Sequence, residues 1–137
     1  MPASDNDITQ WSAARIASVV RSGDVTPMAV VRAHLDRIQA ADVAIGAFQT
    51  VRNDGALQEA EQLALRADLS ALPLAGVPVA VKDCVDVTGE PTRHGSAASD
   101  PHPANHDDEL VQRLRHAGAA VSYTHLTLPT TCTPCCS

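Results

Sequence analysis

The stretch PLAGVPVAVKDCVDVTGEPTRHGSAA, residues 73–98, decides how the rest of the chain is interpreted. Its run 77–81 is rich in β-branched residues and is bounded by turn-forming residues, which is typical of a buried strand. Pro78 cannot donate a hydrogen bond to a neighbouring strand, so we expect it at the strand's beginning or on an edge. Lys82, the only lysine of the chain, directly follows this run. The sequence therefore places its single ammonium group at the end of an apolar strand.

The sequence before this strand predicts helices. A cap at Asp7 or Thr9 opens the first helix, which ends at Gly23. Thr26 followed by Pro27 is a typical helix start, because the hydroxyl caps the helix and the first helical N–H would be unpaired anyway. The segments expected next are a helix over 27–41, a short strand over 47–51 and a helix over 54–67.

The sequence after the lysine predicts turns, a helix and a further strand. Residues 86–105 are punctuated by Gly and Pro and are expected to form turns. Asn105 or Asp107 caps a fourth helix, and Gly118 closes it. A strand is expected to begin at 119–121. The apolar side chains expected on the inner face of this helix are Leu110, Val111, Leu114 and Ala117.

Composition narrows the class of protein. The chain has 137 residues, the usual size of one domain, with 45% hydrophobic and 19% charged residues, as expected for a globular protein. The net charge of −6 argues against a nucleic-acid surface. No apolar run reaches the length of a membrane span. The first residues, MPASDNDITQ, lack the basic and apolar parts of a signal peptide, so we expect a cytoplasmic protein.

The last residues differ from the rest of the chain. VSYTHLTLPTTCTPCCS, residues 121–137, contains no Asp, Glu, Lys or Arg. Its first part resembles the translation of a transposase-type sequencing adapter. We therefore expect 1–121 to be the natural part of the chain and 122–137 to be a non-native tail.

Residues 76–96, GVPVAVKDCVDVTGEPTRHGS, resemble the amidase signature family, whose members carry a hydrophobic strand that ends in Lys-Asp-Asn. The resemblance covers most of residues 8–121. It implies an α/β fold, an α/β/α arrangement with a central mixed sheet, of which this chain supplies the N-terminal portion. It also implies that Lys82 belongs to a Ser–cis-Ser–Lys triad that cleaves amide bonds, with no metal and no cofactor.

The chemistry of a buried lysine agrees with that role. A lysine in water has a pKa of about 10.4 and is no base at neutral pH, but burial can lower this value by several units. Such an amine can take a proton from a serine through a second hydroxyl. Arginine would keep its proton under the same conditions.

A structural role for Lys82 is the alternative, with its ammonium in water or paired with Asp83 or Asp86. Asp83 itself is expected to accept hydrogen bonds from backbone or hydroxyl groups around the site, rather than to act as a catalytic acid. Two residues depart from the family pattern: Ala75 stands where His is frequent, and Cys84 where Asn is usual. Cys84 is expected to be a small buried side chain.

The remaining candidates have simpler explanations. Ser96 is not the family's nucleophile, which lies in a Gly/Ser-rich motif that this sequence does not contain. Pro101 and Pro103 prevent a helix that would align His102 and His106 on a metal, and these two residues and His94 are expected in loops. The cysteines with zinc-like spacing, Cys132, Cys135 and Cys136, lie in the tail, and no second pair accompanies them.

The expected function is hydrolysis of the carboxamide bond of a small-molecule substrate by the parent enzyme, without nucleic acid or membrane partners. The 137-residue chain itself is expected to be inactive, because it holds the base without the nucleophile. One alternative is the glutaminase subunit of a tRNA-dependent amidotransferase, although Thr92 is followed here by Arg-His-Gly-Ser instead of Cys-Ala-Ser. The other is a non-catalytic helical interaction fragment. A homodimer of the full-length parent stays open.

Overall fold

A computed structural model describes residues 7–125. Within this range the chain forms four α-helices and three strands, with short 3-10 helices at Ile8–Gln10 and Leu69–Ala71. None of these helices is both long and apolar enough to cross a bilayer. In chain order the elements are α1 (Ala13–Ser22), α2 (Pro27–Ile45), β1 (Phe48–Val51), α3 (Asn53–Ala64), β2 (Pro78–Lys82), α4 (Glu109–His116) and β3 (Ala120–His125).

Helix α2 starts as its sequence predicts. The Thr26 hydroxyl accepts a hydrogen bond from the Ala29 N–H at 3.2 Å, and Pro27 occupies the first helical position. The helix continues past residue 41 to Ile45, where Gly46 ends it with a φ of 63°. The predicted end at 41 was therefore too early, because residues 42–45 contain no helix breaker before the glycine.

The residue that caps α1 was predicted wrongly. Ser12, and neither Asp7 nor Thr9, caps α1 through a bond from the Arg15 N–H. Asp7 instead caps the short 3-10 helix, where it binds Thr9.

The fourth helix begins later than expected. Asp108 caps α4 by accepting from the Leu110 N–H at 2.8 Å, whereas the candidates had been Asn105 and Asp107. Leu110 then lies in the first turn of the helix and is exposed, so its expected inward orientation was wrong. Val111, the next residue, is the buried one.

The three strands form one mixed sheet in the order β1-β3-β2. β1 runs antiparallel to β3, and β2 runs parallel to it. Pro78 is the first residue of β2, which is an edge strand of the described sheet, so both predicted placements hold. The mixed sheet predicted from the resemblance is confirmed.

Helices cover both faces of this sheet. Ala120 of β3 packs with Val31 and Leu35 of α2 and with Ala56 and Ala60 of α3. Val121, the next residue, belongs to a separate buried cluster with Val81, Val87 and Val111 of α4. Because successive side chains of a strand point to opposite faces, α2 and α3 lie on one side and α4 on the other.

Two glycines bring β2 and β3 together at their amino-terminal ends. The Gly76 N–H donates to the Gly118 carbonyl at 2.9 Å, and both residues have positive φ, 71° and 93°. A Cβ on Gly118 would lie 2.9 Å from side-chain atoms of Leu72. Glycine is therefore required here both by conformation and by space.

Strand β3 continues into the segment interpreted as a non-native tail. Ser122 and Thr124 are buried in the central strand of the described sheet. The Thr124 hydroxyl is buried without a hydrogen-bond partner among the described residues, an arrangement that costs free energy and that a natural strand sequence usually avoids. The boundary at 121 stays a prediction, and Cys132, Cys135 and Cys136 lie outside the described residues.

Candidate active site

Lys82 ends β2 at the carboxyl edge of the parallel pair β2 and β3. In α/β proteins this is the edge of the sheet at which ligands bind. Lys82 is exposed, and its ammonium makes no hydrogen bond or ion pair with other residues of 7–125. The strand thus presents an unpaired ammonium group at its end.

A tight turn separates Lys82 from the buried carboxylate of Asp83. The Val85 N–H donates to the Lys82 carbonyl at 3.0 Å and closes the turn. Asp83 is only 4% exposed. Its two carboxylate oxygens accept from the backbone N–H groups of Arg93, at 2.9 Å, and Gly95, at 3.1 Å. Its carbonyl also accepts from the His94 N–H at 2.8 Å.

Asp83 thereby fixes the turn at residues 92–96 beside the end of β2. His94 is the only described residue other than glycine with a positive φ, 52°, and Gly95 follows with 69°. A buried carboxylate that accepts two N–H bonds is an efficient anchor for such a turn. We call Lys82, Asp83 and the turn 92–96 the lysine corner.

The carboxylates nearest to Lys82 in sequence are used elsewhere. Asp83 binds the turn, and Asp86 accepts from the Thr92 hydroxyl at 2.5 Å. Neither pairs with Lys82 within the described residues. The structure of residues 7–125 contains neither of these ion pairs. The exposed ammonium of Lys82 does agree with the other form of the structural alternative, an ammonium in water, so the catalytic role of Lys82 stays a prediction.

Cys84 is exposed, so the expectation that it is a small buried side chain was wrong. The turn that closes at Val85 explains the difference, because it directs Asp83 inward and leaves the next residue on the surface. Ala75, the other departure from the family pattern, is fully buried in the core with Val20 and Val77.

The three candidate histidines do not come together. His94 lies in the lysine corner, and His106 is exposed. His102 is also exposed and contacts Asp100, which accepts from its N–H at 2.9 Å and lies 2.5 Å from its Nδ1. Within residues 7–125 no three His, Cys, Asp or Glu side chains are grouped as metal ligands would be.

A second polar group lies away from the lysine corner, and sequence reasoning missed it. Arg52 donates to Glu59 at 2.7 Å, to Glu90 at 3.2 Å and to the Val121 carbonyl at 2.6 Å. Arg115 donates to Glu59 at 2.8 Å and also contacts Asp107. We call these five side chains, Arg52, Glu59, Glu90, Asp107 and Arg115, the arginine–carboxylate cluster.

This cluster holds the central strand where β1 ends. Glu59 accepts from the Val121 N–H at 3.2 Å, while Arg52 binds the carbonyl of the same residue. Both backbone groups of Val121 are therefore bound by side chains. The partners in these contacts are separated by 56 to 69 positions in the sequence. No local sequence pattern could therefore have predicted the contacts.

The electrostatics of Asp107 follow from the same cluster. Burial acts to raise the pKa of this carboxyl. Hydrogen bonds from the Thr88 N–H and hydroxyl, both at 2.8 Å, together with the nearby Arg115 charge, outweigh burial and hold the pKa below its ordinary value. Asp107 is therefore a stabilised anion.

Comparison with known proteins agrees with the fold. The sequence model of the Amidase family matches residues 29–133. One component of the glutamyl-tRNA(Gln) amidotransferase of Salinispora tropica is 42% identical over 117 residues, or 84% of this chain and 24% of that protein. AmiB2 of Mycobacterium bovis, assigned to the amidases, is 40% identical over 116 residues, or 84% of this chain and 25% of that protein.

A solved structure shows the same fold. The peptide amidase of Stenotrophomonas maltophilia matches with a TM-score of 0.74 at 29% identity, covering 90% of this chain and 25% of the other. These findings define a layered α/β protein of the amidase signature fold. The chain belongs to the Amidase family, which confirms the resemblance drawn from residues 76–96. It spans about a quarter of the length of the curated relatives it matches.

Proposed function

We propose that the full-length protein hydrolyses carboxamides and that Lys82 is the general base of the reaction. The observation that carries this proposal is the free ammonium of Lys82 at the carboxyl edge of the sheet, beside two carboxylates that are bound elsewhere within residues 7–125. A lysine held by an ion pair would resist giving up its proton. An unpaired lysine that the remaining sequence covers loses solvation and becomes a usable base.

The proposed mechanism follows the family triad. Lys82 takes the proton of a serine through a second serine, and the first serine attacks the amide carbonyl. The resulting tetrahedral intermediate collapses as Lys82 returns the proton to the leaving ammonia or amine. Water then releases the carboxylic acid from the acyl-enzyme. Both serines belong to sequence that this chain does not contain, so we expect the 137-residue polypeptide to be inactive.

Asp83 is proposed as a positioning residue. Its carboxylate joins the end of β2 to the turn 92–96 through two hydrogen bonds, so Lys82 and that turn keep one relative geometry. Correct placement of catalytic groups contributes substantially to rate.

The test is the turnover of simple amides by the full-length protein and its Lys82→Ala and Lys82→Arg variants. We expect both variants to lose at least about 10³-fold in kcat/KM, because neither side chain can accept the serine proton. Arg113→Gln is the matched control, since Arg113 is an exposed cation of α4 paired with the equally exposed Glu109. Persistent turnover in Lys82→Arg would refute the proposal.

A glutaminase subunit of an amidotransferase is the second candidate. The 42% identical relative from Salinispora tropica is named as a component of such an amidotransferase. Glutamine-dependent activity that requires a partner protein would favour this candidate, whereas hydrolysis by the protein alone favours the simple amidase.

The interaction-fragment alternative is weakened by the core. Ile16, Ala17 and Val20 of α1 pack with Val30 of α2 and with Val77, so the apolar faces of these two helices contact each other and the core of the chain. The cytoplasmic location and the homodimer of the full-length protein stay predictions.

A further inference from the structure

A cleft opens beside the lysine corner. It has a volume of about 300 Å³ and is lined by Gln49, Arg93, Gly95, Ser96 and Ala97. This volume lies at the lower end of the range for small-molecule sites. Two of its lining residues, Arg93 and Gly95, are the residues whose N–H groups bind Asp83. The wall of the cleft is therefore attached to the residue that follows Lys82.

The backbone of Arg93 is fixed. Its N–H is bound by Asp83, and its carbonyl accepts from the Ser96 N–H at 2.9 Å and from the Ser99 hydroxyl. The side chain therefore starts from a defined place on the wall of the cleft.

The guanidinium of Arg93 has no partner in the described part of the chain. It makes no hydrogen bond or ion pair with the other residues of 7–125, although the residue is half-buried. Its charge acts only weakly on Asp100, whose carboxylate is bound by His102. A half-buried arginine whose guanidinium has no protein partner in this range is available to bind an anion.

We infer that Arg93 binds a carboxylate of the substrate, so that the preferred substrates are amides that also carry a carboxylate group. This inference rests on the proposed function. The planar guanidinium offers two parallel N–H donors, which match the two oxygens of a carboxylate. Gln49 and Ser96 add neutral polar groups to the same cleft. The amide attacked by the serine that Lys82 activates and the carboxylate bound by Arg93 are then different parts of one molecule.

The test compares two amides of similar shape, succinamate and butyramide, in the full-length protein. We expect succinamate to be preferred and the ratio of its kcat/KM to that of butyramide to fall about 10- to 100-fold in Arg93→Gln. Arg93→Lys, which keeps the charge without the planar donors, is expected to give an intermediate ratio. Arg113→Gln is the control and leaves the ratio unchanged. A ratio in Arg93→Gln equal to that of the wild type would overturn the inference.

Binding supplies a readout that does not depend on turnover. Succinate is expected to raise the melting temperature of the full-length protein and of its Lys82→Ala variant, but not of Arg93→Gln. The binding measurement can therefore support the Arg93 inference even if turnover refutes the role of Lys82. Turnover can likewise support the role of Lys82 even if the binding measurement refutes the Arg93 inference. An equal shift in Arg93→Gln, no shift with millimolar succinate, or a shift with phosphate alone would overturn the inference.

Discussion

The arginine–carboxylate cluster and the lysine corner use charge in opposite ways. In the cluster both arginines bind carboxylates at or below 3.2 Å, and the side chain of Arg52 is only 9% exposed. In the lysine corner the buried carboxylate of Asp83 binds backbone N–H groups, and the cations Lys82 and Arg93 have no partner within residues 7–125. One region satisfies its charges internally and the other leaves them available.

The difference separates cations that are paired within the fold from cations that are not. A partly buried charge is tolerated in a fold when its partners are supplied by the same fold, as for Arg52. A cation without a partner in the described fold, such as Lys82 or Arg93, stays available for contact with a ligand or with the rest of the protein. The comparison yields distinct expectations for stability and for activity.

The largest expected effect on stability is that of Arg52→Met. This substitution removes two ion pairs and the bond to the Val121 carbonyl, and it leaves Glu90 without its arginine. We expect the free energy of unfolding to fall by about 3 kcal/mol, as for other broken buried pairs. Lys82→Met is expected to change it by less than about 0.5 kcal/mol. Urea unfolding measures the free energy of unfolding of both variants. If the 137-residue chain does not unfold cooperatively, the full-length protein is used.

Arg113→Met is the control for the loss of an exposed ion pair. Arg113 and Glu109 are both 76% exposed, so we expect a change of no more than about 0.5 kcal/mol. Equal losses in Arg52→Met and Lys82→Met would remove the distinction between the two regions.

The next largest effect is expected at Asp83. Asp83→Ala leaves the N–H groups of Arg93 and Gly95 without their acceptor, which we expect to cost about 2 kcal/mol. Asp100→Ala is the matched control, because Asp100 also accepts a hydrogen bond from a backbone N–H but is exposed. This substitution should change the free energy of unfolding little. Hydrogen exchange at Arg93 and Gly95 should increase in Asp83→Ala alone. Unchanged exchange there would show that the turn does not depend on this carboxylate.

Sequence patterns predicted the parts of the fold whose causes are local. The start of α2 at Thr26-Pro27 and the strand that begins at Pro78 and ends at Lys82 each depend on neighbouring residues. The caps of α1 and α4 were missed because several Asp, Ser and Thr residues compete within a few positions, and tertiary contacts select among them.

Sequence patterns could not predict the long-range contacts. That Asp83 binds a turn ten to twelve residues later depends on the path of the intervening loop. Arg93 attracted notice only as a departure from the amidotransferase pattern, and the structure adds that its guanidinium is unpaired within residues 7–125. Lys82 and Asp83 could be proposed as site residues from the sequence, whereas the partners of Asp83 required coordinates.

The smallest expected effect is the pH dependence of the arginine–carboxylate cluster. The pKa of Asp107 is lowered in the folded chain, because the Thr88 hydrogen bonds and the Arg115 charge outweigh the effect of burial. A carboxyl whose folded pKa lies below its unfolded value of about 3.9 contributes stability above that pH. The contribution is lost as the pH falls through the folded pKa. Asp107→Asn should therefore be less stable than the wild type at pH 6, with the difference narrowing below about pH 4.

Asp68→Asn provides the comparison for this measurement. The pKa of Asp68 is also lowered, chiefly by its hydrogen bond from Arg66, but the Asp68 side chain is 55% exposed and that of Arg66 is 35% exposed. Salt screens exposed pairs more than partly buried ones, so about 1 M NaCl should remove the effect of Asp68→Asn and leave most of that of Asp107→Asn. Urea unfolding at pH 6, 4 and 3, with and without salt, measures both. A difference between wild type and Asp107→Asn that stays constant down to pH 3 would show that the cluster does not hold Asp107 as a stabilised anion.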